Sequence, residues 1–143
     1  MQGFLNNLKR FDENIAIISK NKSYTYKQFI QDVFATVLPI PDQSTVCLIG
    51  DFDYENIVKF FALALKKCII APLPKDSPSN FKKQEILMSN FSIYNSCIQE
   101  HLYTQEHSLI KDIKSTHSGV LCGGIVSVPP MLSCLSNTSI PAI

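Results

Sequence analysis

The period of the apolar positions changes several times along the chain, and each change marks an element. Phe4, Leu5 and Leu8 recur at helical spacing and predict a short amphipathic helix over residues 3–10. Ile15-Ala16-Ile17-Ile18 is an apolar run of strand type. Residues 19–23 carry turn chemistry, and Tyr24-Thr25-Tyr26 is a second β-prone run, so the two runs predict a hairpin. Thr25 is placed to cap a helix whose apolar face is Phe29, Ile30, Val33, Phe34 and Val37, with Pro39 and Pro41 ending it. Residues 45–49 read as a buried strand, 50–53 as a loop and 54–67 as a strongly apolar helix. Residues 68–73 read as a second buried strand. The apolar residues of the second of these helices surround most of it, so it should pack on more than one side, with Phe60 and Phe61, like Phe34, in the core.

Strand, helix, strand at this spacing is a βαβ unit, which predicts a parallel sheet with a right-handed crossover. Residues 81–91 predict a further helix, and Ser92-Ile93-Tyr94 a short strand parallel to the other two. Residues 96–114 are mixed and polar and predict no element. The expected fold class is therefore α/β: a partial three-layer domain with a mainly parallel sheet, a βαβ unit and an N-terminal β-hairpin. After Lys114 the character changes. No Asp, Glu, Lys or Arg follows, and residues 118–143 are mostly Ser, Pro, Gly, Cys and aliphatics. Two segments are expected, 1–114 as a folded α/β part and 115–143 as a poorly patterned tail. Pro129-Pro130 and the shortness of the apolar runs argue against a membrane span there.

Composition narrows the function classes. Hydrophobic residues make up 45% and charged residues 17%, a globular balance. The formal net charge of +1 lacks the clustered basic excess of a nucleic-acid or anionic-membrane surface. Lys66-Lys67 and Lys82-Lys83 are the only basic doublets and read as solvated helix ends or faces. The opening residues, with Gln2, Asn6 and Asn7, do not form a signal peptide. Five scattered cysteines with no CxxC pair fit reduced cytosolic thiols, so a cytoplasmic location is expected. Cys47 and Cys68 read as small core residues.

Candidate chemistry is sparse. His101, His107 and His117 have no metal-ligand spacing and read as surface residues. Asp51 and Asp53 follow a strand. They could line a crevice of the kind in which open α/β sheets bind ligands, or serve as acidic charges at a helix N-terminus. Ser118-Gly119 lacks a nucleophile elbow. Glycine is absent between Gly3 and Gly119 apart from Gly50, so no Gly-rich phosphate loop lies there.

The order of parts resembles the start of the acyl-activating, AMP-forming superfamily, which includes acyl-CoA synthetases, peptide-synthetase adenylation domains and luciferases. The residues that carry the resemblance are Tyr24-Thr25-Tyr26-Lys27-Gln28-Phe29 at a helix start, the strand Val46 to Ile49, the helix core Phe60-Phe61-Ala62-Leu63-Ala64, and Ile69-Ile70-Ala71-Pro72-Leu73-Pro74. Where such proteins have glycine before the second strand, this chain has Lys67, a cation that suits a helix C-terminus.

The resemblance implies an ATP-dependent ligase that joins a carboxylic acid to AMP and passes the acyl group to the thiol of CoA or of a carrier protein. ATP and Mg are expected of a complete member. It also implies a phosphate loop of the type Thr-Ser-Gly-Thr-Thr-Gly-x-Pro-Lys. The corresponding stretch here is Cys122-Gly123-Gly124-Ile125-Val126-Ser127-Val128-Pro129-Pro130, after a strand at Val120-Leu121. Gly123, Gly124 and Ser127 are the candidate phosphate-binding positions, but the hydroxyl pair is replaced by Ile125 and Val126 and the lysine by Pro130. A degenerate loop, together with the absence of later motifs, predicts an inert fragment. A stop, a frame shift or a gene split with a complementing C-terminal polypeptide would each produce one. The alternative is a non-catalytic α/β binding or assembly module. Exposed apolar surface on the 54–67 helix would favour the fragment, and a tail docked on the sheet would favour the module.

Overall fold

The structure, a computed structural model, describes residues 1–80, 82 and 89–101, together with the backbone of 120–122 and 125–127. Helix α1 (Gln2–Leu8) runs into a 3-10 turn (Lys9–Phe11), followed by the hairpin β1 (Ile15–Ser19) and β2 (Lys22–Thr25). Helix α2 (Tyr26–Ala35), β3 (Thr45–Ile49), α3 (Tyr54–Leu65) and β4 (Ile69–Leu73) follow. The remaining described strands are β5 (Phe91–Tyr94), β6 (Cys97–Glu100), β7 (Val120–Cys122) and β8 (Ile125–Ser127). The hairpin stands apart as a two-stranded sheet, and the other strands form one sheet in the order β6-β5-β3-β4-β7-β8.

Local chemistry sets the boundaries. Lys20 and Asn21 adopt φ of 50° and 61°, the left-handed pair that a two-residue hairpin turn demands. Thr25 caps α2 as its spacing implied, its Oγ1 accepting the Gln28 N–H at 3.2 Å. Helix α2 stops at Ala35, earlier than the apolar pattern suggests. The Thr36 N–H and hydroxyl both return to Asp32 O, and Leu38 precedes Pro39, which disfavours helical backbone before it. The reading of Val37 and Phe34 as core is therefore overturned. Val37 has left the helix and is 87% exposed, and Phe34 is 46% exposed, while Phe29, Ile30 and Val33 make the buried face.

The β3–α3–β4 unit is parallel in all five registered pairs from Thr45↔Ile69 to Ile49↔Leu73. Strand β5 lies parallel to β3 on the other side. The helix expected over 81–91 cannot reach its far end, because Phe91 opens β5; residues 81 and 83–88 lie outside the described residues. Strand β6 was not foreseen. It folds back antiparallel on β5 through a tight turn in which Asn95 has φ of 53°.

Two clusters form the core on the helical side. Val46, Leu48, Ile70 and Ile93 of the sheet pack with Leu63 and Ala64 of α3 and with Cys68. Leu5, Phe29, Ile30, Val33, Tyr54 and Val58 join α1, α2 and α3, with the hairpin against them. On the opposite sheet face Cys47, Ile49 and Leu73 are buried as well, so β3 is covered on both faces, as a three-layer arrangement requires. Removing the fully buried Leu63 side chain would cost about 2–5 kcal/mol.

Candidate functional site

The chain turns sharply where β3 ends. Gly50 has φ of 155°, and a Cβ there would lie 2.5 Å from Asn56 Nδ2, so only glycine fits. The Asn56 amide donates to Asp51 O at 2.8 Å and closes the loop over the start of α3. Its Oδ1 is buried and has no partner among the described residues. Leu48, Gly50, Phe52, Asn56, Phe60 and Pro72 line a small cleft of about 10 Å³, about the room of a single water.

The two acidic candidates have separate roles. Asp53 caps α3, its Oδ1 accepting the Asn56 N–H at 3.0 Å, and Lys20 of the hairpin turn donates to its Oδ2 at 3.0 Å. Burial pushes the Asp53 carboxyl up, but the Asn56 N–H and the Lys20 ammonium more than offset this and hold it below the usual range. Asp51 pairs instead with Lys75 beyond β4, and that contact draws the Lys75 ammonium up. The reading of these aspartates as helix N-terminal charges therefore holds for Asp53.

Tyr54 is the residue that sequence reasoning missed. Its hydroxyl donates to Asp32 Oδ2 at 2.6 Å, and its N–H donates to Ser19 Oγ at 3.2 Å. Its ring stacks on Tyr24 with centroids 3.5 Å apart, and Phe29 meets it edge-on at 6.5 Å. Burial first, then the Asp32 carboxylate, raises its phenol well above the ordinary value. These partners lie 22 and 35 residues away along the chain for the two hydrogen bonds, so no local pattern announces them. Beside this node, Asp32, Thr36, Glu55, Lys59 and Ser96 rim an open groove of about 360 Å³.

His101 is tied into the sheet, its Nε2 lying 2.9 Å from Ser92 Oγ. Among the described residues no three His, Cys, Asp or Glu side chains converge to hold a metal. Cys47 and Cys68 are buried core residues, as their apolar surroundings implied. Of the candidate phosphate positions, Ser127 ends β8 opposite Val120, and Gly123 and Gly124 lie outside the described residues. Ile125, Val126 and Ser127 are engaged in an antiparallel ladder with β7. Part of their backbone hydrogen bonding is thus already committed.

No protein-family model matches the chain, and a comparison with curated proteins finds no match. Solved structures do match. The N-terminal subdomain of Klebsiella oxytoca NpsA superposes with a TM-score of 0.59 at 14% identity, over 89% of this chain and 34% of that one. The same subdomain in complex with 3-hydroxybenzoyl-AMSN gives 0.60 at 15% identity, over 80% and 31%. An artificially fused adenylation–PCP di-domain, NpsA-ThdA from the same organism, gives 0.54 at 15% identity, over 80% and 23%. The chain thus has the fold of part of an adenylation N-terminal subdomain and spans about a third of that subdomain's length. The α/β architecture with a mainly parallel sheet and an N-terminal hairpin stands as expected. No described helix is long and apolar enough to cross a membrane.

Proposed function

We propose that the chain is the opening part of an acyl-adenylate-forming ligase domain and does not adenylate on its own. The observation that carries this reading is the superposition of most of the chain on the NpsA N-terminal subdomain. The NpsA structures include a complex with an acyl-AMSN ligand and a fusion to a PCP, which supports a carboxylic acid and a carrier-protein thiol as partners of the whole enzyme. CoA is the other thiol that such chemistry accepts. ATP, Mg and the charged groups that stabilise a pentavalent phosphorus would be held by the parts of such a domain beyond the third that this chain spans.

The test is carboxylate-dependent exchange of labelled pyrophosphate into ATP, using the pure chain and a panel of aryl and alkyl acids. No exchange is expected. Exchange above a no-acid control would defeat the inert reading and leave the ligase reading standing. A non-catalytic binding or assembly module is the second reading, and two observations favour it. The apolar residues of α3 are buried or half-buried rather than exposed, and β7 and β8 join the sheet. A chain that stays monomeric and unfolds in one cooperative step would strengthen it.

A further inference from the structure

We propose that β6 is a pairing edge for a second copy of this chain, which adds antiparallel about a two-fold axis through Gln99 and joins the two sheets into one. The backbone parity of the β5–β6 hairpin carries the argument. In an antiparallel ladder, pairs that exchange both hydrogen bonds alternate with pairs that exchange none, and residues of the second kind direct N–H and C=O away from the partner. The register pairs Phe91 with Glu100, Ser92 with Gln99, Ile93 with Ile98 and Tyr94 with Cys97. Just beyond it, the His101 N–H donates to Asn90 O at 2.8 Å. Counted from that bond, Gln99 and Cys97 bond β5, and Ile98 and Glu100 direct their backbone groups outward. Strand β6 ends the strand order, so among the described residues no strand receives them.

The outward residues form a self-complementary set. Turned about an axis through Gln99, Ile98 meets Glu100 of the second copy, and Glu100 meets its Ile98. Each outward N–H then finds an outward C=O, and neither hairpin has to change. Gln99 faces its own copy across the axis at the close spacing of a pair without backbone bonds. No like charges stand directly opposite, because each Glu100 faces an isoleucine. Ile98 is half-buried against the helical-side core, and the added strand extends its cover. Edge strands that must stay unpaired are commonly guarded by proline, lysine or a bulge. Strand β6 is Cys-Ile-Gln-Glu, and its register on β5 runs evenly through four pairs. Cys97, Gln99 and Glu100 are exposed, which leaves the approach open. This pairing rests on backbone geometry and not on the adenylating reading, which pyrophosphate exchange tests separately.

The experiment is sedimentation of the full chain over a concentration series, together with mild oxidation of Gln99→Cys and peptide mapping of any covalent dimer. A pair of this kind brings Cα atoms to about 4.5 Å, within disulfide reach. Native Cys97 is the internal control. It falls opposite His101 of the second copy, so the two Cys97 Cα atoms stand about 13 Å apart, beyond that reach. The expected result is self-association of the unmodified chain and a disulfide through position 99 but not through Cys97. Gln99→Lys, which sets two ammonium groups opposite each other, should weaken association at least about tenfold. A chain that stays monomeric at every concentration, or one that crosslinks no more through position 99 than through Cys97, would overturn the proposal.

Discussion

Glycine at position 67 should give a more stable protein than alanine there, and the reason is backbone geometry rather than charge. Helix α3 ends in a Schellman arrangement. The Cys68 N–H returns to Leu63 O and the Lys67 N–H to Ala64 O, each at 3.1 Å. Both bonds require residue 67 to be left-handed, and Lys67 takes φ of 57°. An L-residue pays roughly 1–2 kcal/mol for that conformation. Glycine avoids this cost but gives the unfolded chain more freedom, which takes back about 0.4–1 kcal/mol. Lys67 is exposed, so no packing is lost. Loss of a cation at the helix C-terminus costs about 0.3–1 kcal/mol at low salt and less in higher salt. Lys67→Ala loses the same cation and keeps a Cβ, so comparing the two variants isolates the backbone contribution. Lys67→Gly should be more stable than Lys67→Ala by about 1 kcal/mol, a urea midpoint difference near 0.5 M for a slope of about 2 kcal/mol/M. If the two variants unfold at the same midpoint, the left-handed backbone at residue 67 carries no net cost and the reasoning fails.

Tyr54→Phe keeps the stack on Tyr24 and removes the hydrogen bond to Asp32, so it should cost about 1–2 kcal/mol by urea unfolding near neutral pH. Because the folded state raises the Tyr54 phenol, this contribution is fully present below about pH 10 and declines as pH rises above it, where the unfolded phenol ionises first. The stability gap between wild type and Tyr54→Phe should therefore shrink in alkali; a gap constant across that range would contradict the assignment. Asp53→Ala removes the cap of α3 and should cost about 1 kcal/mol. Its carboxyl is held low, so the contribution is present above about pH 4 and disappears as pH falls through the folded-state value, which acid titration of both proteins by circular dichroism would follow.

The sequence carried most of the architecture because the informative patterns were local. Continuous apolar runs marked β3 and β4, a Thr at the right offset marked the start of α2, and turn residues marked the hairpin. Errors arose where helical spacing was extended past a signal that ends it. Val37 keeps the apolar period of α2, but the approach of Pro39 and the return of Thr36 to Asp32 take it off the helix. Strand β6 escaped because a polar edge strand buries little, so hydrophobicity does not mark it. Three of its four residues are exposed.

The same contrast separates what fixes the fold from what would fix a function. The dipole reading of Lys67 shows how a residue can satisfy one rule and hide another. A cation suits the end of α3, so nothing in the one-dimensional pattern looks strained, and only the left-handed φ reveals why glycine is the expected occupant. Pro72 behaves alike. It sits inside an apolar run and reads as a strand residue, which it is, but its missing donor matters only once β7 is known to lie on that side. Tyr54 joins the hairpin, α2 and α3 through partners distant in sequence. Each of these residues acts through a neighbour that arrives only with the tertiary fold. The proposal that the chain does not adenylate on its own draws on residues of another kind: if 122–130 corresponds to a phosphate loop, Ile125 and Val126 offer no polar side-chain atom to a phosphate, whatever the backbone around them does.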